Sequence, residues 1–181
     1  IREAEVDKNY KYKVDIWRPD LEHILSFSLP VRPDGMSIDE TGLITWIPGV
    51  TQIDTQRFTV KVNHGVAVDS QLVSLFVNHP PVVNGAPMDM NVVSLGEEYR
   101  FQIDVLDPNK KDDLIYTAIE MPGGMRMDPY GGLIIWEPTR ENIDFSTLFI
   151  EVSDGRATQT IKANYYVNAP VNIVSIPPMQ G

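Results

Sequence analysis

Large apolar and polar residues alternate in short runs along most of the chain. Tyr10-Lys11-Tyr12-Lys13-Val14-Asp15-Ile16 alternates strictly, and Ile24 to Leu29 and Arg57-Phe58-Thr59-Val60-Lys61-Val62 do much the same. A period of two is the signature of a strand with one face buried. Between the runs stand turn formers: Arg18-Pro19-Asp20, Pro30 to Gly35, Asp39-Glu40-Thr41-Gly42 and His64-Gly65. Pro fixes φ and Gly supplies positive φ, so these clusters end strands and reverse the chain. Further short strands are expected at Met36-Ser37-Ile38, at Leu43-Ile44-Thr45-Trp46 before Pro48, and from Ser70 to Val77. An edge strand carrying charge is expected within Ile1 to Asp7, with Ala4 and Val6 on one face. No segment shows a helical period.

The second half repeats this order. Gly35-Met36-Ser37-Ile38-Asp39-Glu40-Thr41-Gly42-Leu43-Ile44-Thr45-Trp46-Ile47-Pro48 returns as Gly124-Met125-Arg126-Met127-Asp128-Pro129-Tyr130-Gly131-Gly132-Leu133-Ile134-Ile135-Trp136-Glu137-Pro138. Met36 and Met125 are 89 positions apart and Trp46 and Trp136 are 90 apart, so the second Asp-Gly turn holds one extra residue. Tyr99 to Val105 matches the Tyr10 strand, Leu114 to Ala118 matches Leu25 to Leu29, and Leu148 to Val152 matches the Phe58 strand. Asp154-Gly155 is a hairpin signal at the place of His64-Gly65. Self-similarity at such a period means one structural unit used in tandem. The expected division is 1–78, 79–170 and a remainder 171–181 that reads as a linker or the start of a further repeat. Asn78-His79-Pro80-Pro81 forms the joint, and its two prolines predict a short, stiff connector. The chain opens on Ile1-Arg2-Glu3 without Met, and Val171 to Met179 resembles a linker with an opening strand. Both features suggest a piece of a longer array.

About seven alternating strands in each stretch of about 90 residues, with frequent turns, predict an all-β fold of two Greek-key β-sandwiches. The ordered string of Gly-Met, Asp, Gly-Leu-Ile-x-Trp-x-Pro and the closing V-x-V-x-D-G resembles the bacterial "putative Ig" repeats and the cadherin-like domains of dystroglycan. That resemblance covers nearly the whole chain. It implies spacer, adhesion or scaffold modules of surface, secreted or periplasmic proteins, and it leaves the function open because one fold hosts many.

Charge narrows the partners. The formal net charge is −10, with 8 basic and 11 acidic residues up to Asn78 and 7 and 14 beyond it. Nucleic acids and anionic membranes select basic patches, so neither is expected. Cysteine is absent, which excludes disulfides and thiolate metal sites. Apolar runs are too short, or too broken by Pro, to insert in a bilayer.

Two groups of residues are candidates for more than turns and core. Trp46 and Trp136, with Met36 and Met125, occupy equivalent positions. The repetition favours packing against each unit's interior over a ligand platform. The loop Asp104-Val105-Leu106-Asp107-Pro108-Asn109-Lys110-Lys111-Asp112-Asp113 stands where cadherin-like relatives present carboxylates to calcium. Hard cations need six to eight oxygens with little competing positive charge, and Asp104, Asp107, Asp112 and Asp113 would supply part of such a set. Three features weigh against it: Lys110 and Lys111, the carboxylate-poor counterpart Trp17 to Glu22, and a linker without an acidic string. A solvated acidic loop is the plainer reading, and no other cofactor is expected. His23, His64 and His79 lie on different loops with no ligand spacing. No nucleophile elbow or phosphate loop is present.

The expectation is therefore a non-enzymatic structural or interaction module from a multi-repeat extracytoplasmic protein. Its partners would be neighbouring repeats or other protein subunits. The alternative is a calcium- or carbohydrate-binding accessory module, which a row of exposed aromatics on one sheet would favour.

Overall fold

The computed structural model describes residues 3–17, 25–65, 67–87, 89–110 and 112–171. Arg18 to Glu22, His23, Lys111 and the expected strand beyond Val171 lie outside the described residues. The chain divides into two compact units. The first comprises Ile1–Pro80 together with Asp107–Asp112; the second comprises Pro81–Leu106 and Asp113–Gly181. The division thus falls after Pro80, two positions beyond the expected one, and the short segment 107–112 counts with the first unit.

The first unit contains β1 (Glu3–Glu5), β2 (Tyr10–Lys13), β3 (Ser26–Val31), β4 (Ser37–Ile38), β5 (Leu43–Trp46), β6 (Asp54–Asn63) and β7 (Val68–Asn78). They form a four-stranded sheet in the order β1-β7-β6-β3 and a three-stranded sheet in the order β2-β5-β4. The inward residues follow from alternation: Ile44 and Trp46 on β5, Phe58 and Val60 on β6, Leu75 and Val77 on β7 are all buried. Met36, Leu29, Tyr10 and Ala4 complete this core. Pro30 lies inside β3, where the register with β6 shifts between Ser28 and Val31. A bulge is where a strand tolerates a residue that has no N–H to donate.

The second unit contains β8 (Val82–Gly85), β9 (Met90–Ser94), β10 (Tyr99–Gln102), β11 (Asp104–Leu106), β12 (Ile115–Glu120), β13 (Arg126–Met127), β14 (Leu133–Trp136), β15 (Asp144–Ser153) and β16 (Thr158–Asn168). Its four-stranded sheet runs β12-β15-β16-β9 and its three-stranded sheet β10-β14-β13; β8 and β11 form an additional pair. Ile134, Trp136, Leu148, Ile150, Val152, Ala163 and Tyr165 are fully enclosed. These residues form a cluster separate from that of the first unit.

An early strand of each unit, β1 in the first and β9 (after β8) in the second, pairs in parallel with the last one: Glu3 stands opposite Phe76, and Val92 opposite Tyr166. Alternation in the sequence predicts an edge strand at Ala4 and Val6 but is silent on its direction. Parallel pairing means that the chain enters one end of a unit and leaves at the opposite end.

Candidate functional site

The repeated string builds one structural lock in each unit. Trp46 is 2% exposed and donates its indole N–H to the Asp34 carbonyl at 3.0 Å; Trp136 is 0% exposed and donates to the Gly123 carbonyl at 3.1 Å. A second amide reaches the same oxygen in each case: Gln52 Nε2 to Asp34 at 3.1 Å, and Asn142 Nδ2 to Gly123 at 3.2 Å. Gln52 and Asn142 each also close a short 3-10 turn by accepting the N–H three residues earlier, from Gly49 at 3.0 Å and Thr139 at 2.8 Å. Both indoles are thus enclosed, with their one polar atom satisfied, as buried Trp requires. Met36 and Met125 lie in the same cores. Gln52 and Asn142 carry no sequence signal beyond their shared offset of 90 from one copy to the next.

The turn before each lock is held by an aspartate. Asp39 Oδ1 accepts the backbone N–H of Thr41 at 2.8 Å and of Leu43 at 2.9 Å, and the Thr41 hydroxyl at 2.7 Å. These bonds, the one from Leu43 foremost, hold the Asp39 carboxyl below its usual range. Asp128 accepts Tyr130 N–H at 3.0 Å in the longer second turn. Gly42 and Gly132 follow with φ of 83° and 67°. Burial raises the hydroxyls of Tyr10, Tyr99, Tyr116 and Tyr165; at Tyr116 the nearby Asp104 charge adds to the effect. Among the described residues, the groups whose titration is shifted are thus core tyrosines and a turn aspartate, which do not converge on one place.

The acidic loop divides. Asp107 and Asp112 fall in the segment that belongs to the first unit, whereas Asp104 and Asp113 fall in the second. Asp107 Oδ1 accepts Asn109 N–H at 2.7 Å, and Asp112 donates its N–H to the Asn109 carbonyl at 2.9 Å. The tight turn brings a carboxylate oxygen of each aspartate within 4.8 Å of the other. Asp104 instead opens strand β11 opposite Gly85.

Asn109 organises this part of the first unit. It is 1% exposed; Nδ2 donates to Asp54 Oδ1 at 2.8 Å and to the Val77 carbonyl at 3.1 Å, while Oδ1 accepts the His79 N–H at 2.6 Å. Both amide donors and the acceptor are used, the condition under which a buried amide is stable. Asp54 presents its carboxylate from a backbone with φ of 67°. Of the expected joint, Asn78, His79 and Pro80 belong to the first unit and Pro81 opens the second. His79 Nδ1 lies 2.8 Å from the Pro80 carbonyl and is engaged there. Calcium would find two neighbouring carboxylates in this unit, but the oxygens of Asn109 and Asp54 Oδ1 already accept protein N–H groups. The loop is therefore a hydrogen-bonded structural element first.

The outer face of the second unit's large sheet carries side chains that the core does not explain. Phe145 is 70% exposed and Tyr166 38%, with ring centroids 5.4 Å apart and planes tilted by 55°. Val92, opposite Tyr166 on the neighbouring strand, extends the row. At the matching places in the first unit stand Thr55, Phe76 and Glu3, so the aromatic pair is not demanded by the fold.

Comparison with known proteins agrees with this architecture. Residues 3–78 match the family model described as "Putative Ig domain". The extracellular domains 3–5 of Drosophila OTK superpose with a TM-score of 0.66 at 12% identity, over 92% of this chain and 58% of that one. An I-band fragment of titin gives 0.55 at 13%, over 93% and 62%, and the insect immune protein hemolin 0.52 at 12%, over 92% and 44%. The fold is immunoglobulin-like. The chain spans less than two thirds of each of these structures, and at such identities the likeness concerns fold alone. No curated protein matches the sequence. Among the described residues, no helix is long and apolar enough to cross a membrane.

Proposed function

We propose that the chain is a non-enzymatic spacer and interaction module, two immunoglobulin-like repeats of a longer extracytoplasmic protein. The parallel pairing of β1 with β7 and of β9 with β16 carries this reading. It places the two ends of each unit at opposite poles, the requirement for stringing units in series. Tension applied through those ends shears the β1–β7 and β9–β16 ladders, so their hydrogen bonds share the load. The polar groups of the repeated string serve the Trp lock and the Asp turn, which leaves a scaffold rather than a reaction site.

Force spectroscopy on a chain held by its two termini tests the reading. Two separate unfolding events per molecule are expected, each releasing at most about 270 Å for a unit of about 80 residues at about 3.4 Å each. A single event for the whole chain, or extension without any force peak, overturns the tethering role.

The exposed Phe145–Tyr166 pair and the neighbouring Asp107 and Asp112 carboxylates favour a second reading, an accessory module that binds carbohydrate or calcium. A ligand bound only to the folded state stabilises it by about 2.7 kcal/mol at a hundredfold excess over Kd. Melts with calcium against chelator, and with soluble oligosaccharides against none, decide it: an unchanged Tm in both removes this reading.

A further inference from the structure

Ten of the described residues have positive φ, and they fall into five pairs at offsets of 89 or 90 between the copies. Three pairs are Gly in both copies: Gly35 with Gly124, Gly42 with Gly132, and Gly65 with Gly155. A fourth sets Asp7 against Gly96. In the fifth, Asp54 and Asp144, with φ of 67° and 83°, both copies carry aspartate. Gly takes this conformation without the Cβ clash that an L residue meets, so the backbone alone does not account for a carboxylate kept at both places.

In the first unit the use of that carboxylate is visible. Asn109 Nδ2 donates to Asp54 Oδ1 and to the Val77 carbonyl, and Asn109 Oδ1 accepts the His79 N–H. An Asp-x-Asn turn presents the amide, with Asp107 Oδ1 accepting the Asn109 N–H at 2.7 Å. In sequence this turn connects β11 to β12, yet it counts with the first unit. The first unit is thus completed by a turn that lies between two strands of the next repeat. A carboxylate and a carbonyl ask for donors and an N–H asks for an acceptor. One side-chain amide answers all three, whereas a carboxylate has no donor and an ammonium no acceptor.

The second unit repeats the receiving groups. Asp144 stands opposite Val167 in its ladder as Asp54 stands opposite Val77. Each aspartate follows a 3-10 turn and an isoleucine: Val50–Gln52 with Ile53, and Arg140–Asn142 with Ile143. Two residues after the valine, Ala169 supplies the N–H that His79 supplies in the first unit, and Pro170 follows as Pro80 does. The His79 imidazole takes no part in holding Asn109, so its replacement by alanine leaves the set intact. We propose that Asp144, the Val167 carbonyl and the Ala169 N–H form a receptor for the asparagine of an Asp-x-Asn turn, supplied by a further immunoglobulin-like repeat of the same polypeptide. The inference rests on the reading of the chain as part of a longer array, and it names the contact by which the second unit engages its neighbour.

Amide hydrogen exchange, read residue by residue by NMR, tests the receptor. In the 181-residue chain, Asn109→Ala should speed exchange of the His79 N–H at least tenfold. A longer chain is then made in which residues 1–170 are followed by a second copy of residues 81–181. There the Ala169 N–H should exchange at least tenfold more slowly than in the 181-residue chain. That slowing should vanish when the asparagine of the added Asp-x-Asn turn is replaced by Ala, and shrink at least threefold with Asp144→Gly, which permits the same backbone conformation. The amides of β15 and β16 show in the same spectra that the second unit stays folded. An unchanged His79 rate in Asn109→Ala, equal Ala169 rates in the two chains, or a slowing that survives both substitutions overturns the proposal. Two unfolding events under force would leave the tethering role standing beside any of these results, so the two failures are separable.

Discussion

Replacing Trp136 by alanine separates a structural indole from a ligand platform. The side chain is fully enclosed, and its ring meets Tyr165 edge-on at 5.5 Å with planes at 79°. Truncating a buried Trp to Ala costs about 3–5 kcal/mol. The lost indole hydrogen bond falls within that figure, because the Gly123 carbonyl keeps Asn142 Nδ2 as a donor at 3.2 Å and is not orphaned. The edge contact with Tyr165 places the cost at the upper end, about 4–5 kcal/mol, since such pairs contribute roughly 0.5–1.5 kcal/mol beyond area. Trp46 has Leu75 at the position of Tyr165, so Trp46→Ala is expected to cost about 1 kcal/mol less. For a unit of this size each kcal/mol moves Tm by about 4–8 °C, which puts the Trp136→Ala transition roughly 16–40 °C below the parent. Each variant retains the other unit's buried indole as a reporter. In Trp136→Ala, circular dichroism in urea should show an early transition while the Trp46 fluorescence midpoint stays put. If both signals moved together, the units would share one core; if the cost were under 1 kcal/mol, the packing role of the indole would be refuted.

Four further substitutions act through named contacts. Gly132→Ala forces a left-handed backbone on alanine and sets its Cβ 2.7 Å from the Tyr116 ring; a loss of about 2 kcal/mol or more is expected in the second unit by urea denaturation, against about 1–2 kcal/mol from the backbone alone. Gly42→Ala should cost less, because Phe27, its neighbour at 2.8 Å, is only partly buried and has room to shift. Asn109→Asp turns a carboxylate toward Asp54 Oδ1 and the Val77 carbonyl; the first unit should lose about 2–4 kcal/mol at neutral pH, with part of it returning in acid, and an unchanged urea midpoint would contradict the hydrogen-bond account. Asp39 has its folded-state pKa depressed below the ordinary 3.8, so its contribution is complete above that value and fades as pH falls through the lower folded-state pKa. Asp39→Asn should flatten the acid limb of the first unit's stability curve, measured by urea midpoints from neutral pH downward.

The strands and the tandem plan were readable because alternation is a local property: Tyr10 to Ile16 and Tyr99 to Val105 specify a buried face without help from distant residues. The indoles were readable for the same reason, since two copies at one offset point to packing. Asn109 was not. Its importance comes from partners far off in sequence, Asp54, Val77 and His79, and a lone asparagine in an acidic loop carries no local mark of burial. The Asp-rich composition drew attention to Asp104 and Asp113, but the loop's turn gathers only Asp107 and Asp112 in the first unit.

The duplication itself separates what the fold requires from what belongs to one copy. Trp, Met, the Asp turn, its positive-φ Gly and the closing Pro recur, and every one of them touches the core or the turn that caps it. Positions that point outward are free to diverge, and they do: Thr55, Phe76 and Glu3 in one sheet against Phe145, Tyr166 and Val92 in the other. An exposed aromatic pair next to an exposed valine is costly in solubility and adds nothing to an interior that closes equally well with Thr55 and Glu3. A partner for this chain is therefore to be sought where the two copies disagree on the outward face, around Phe145, and not at the string they share.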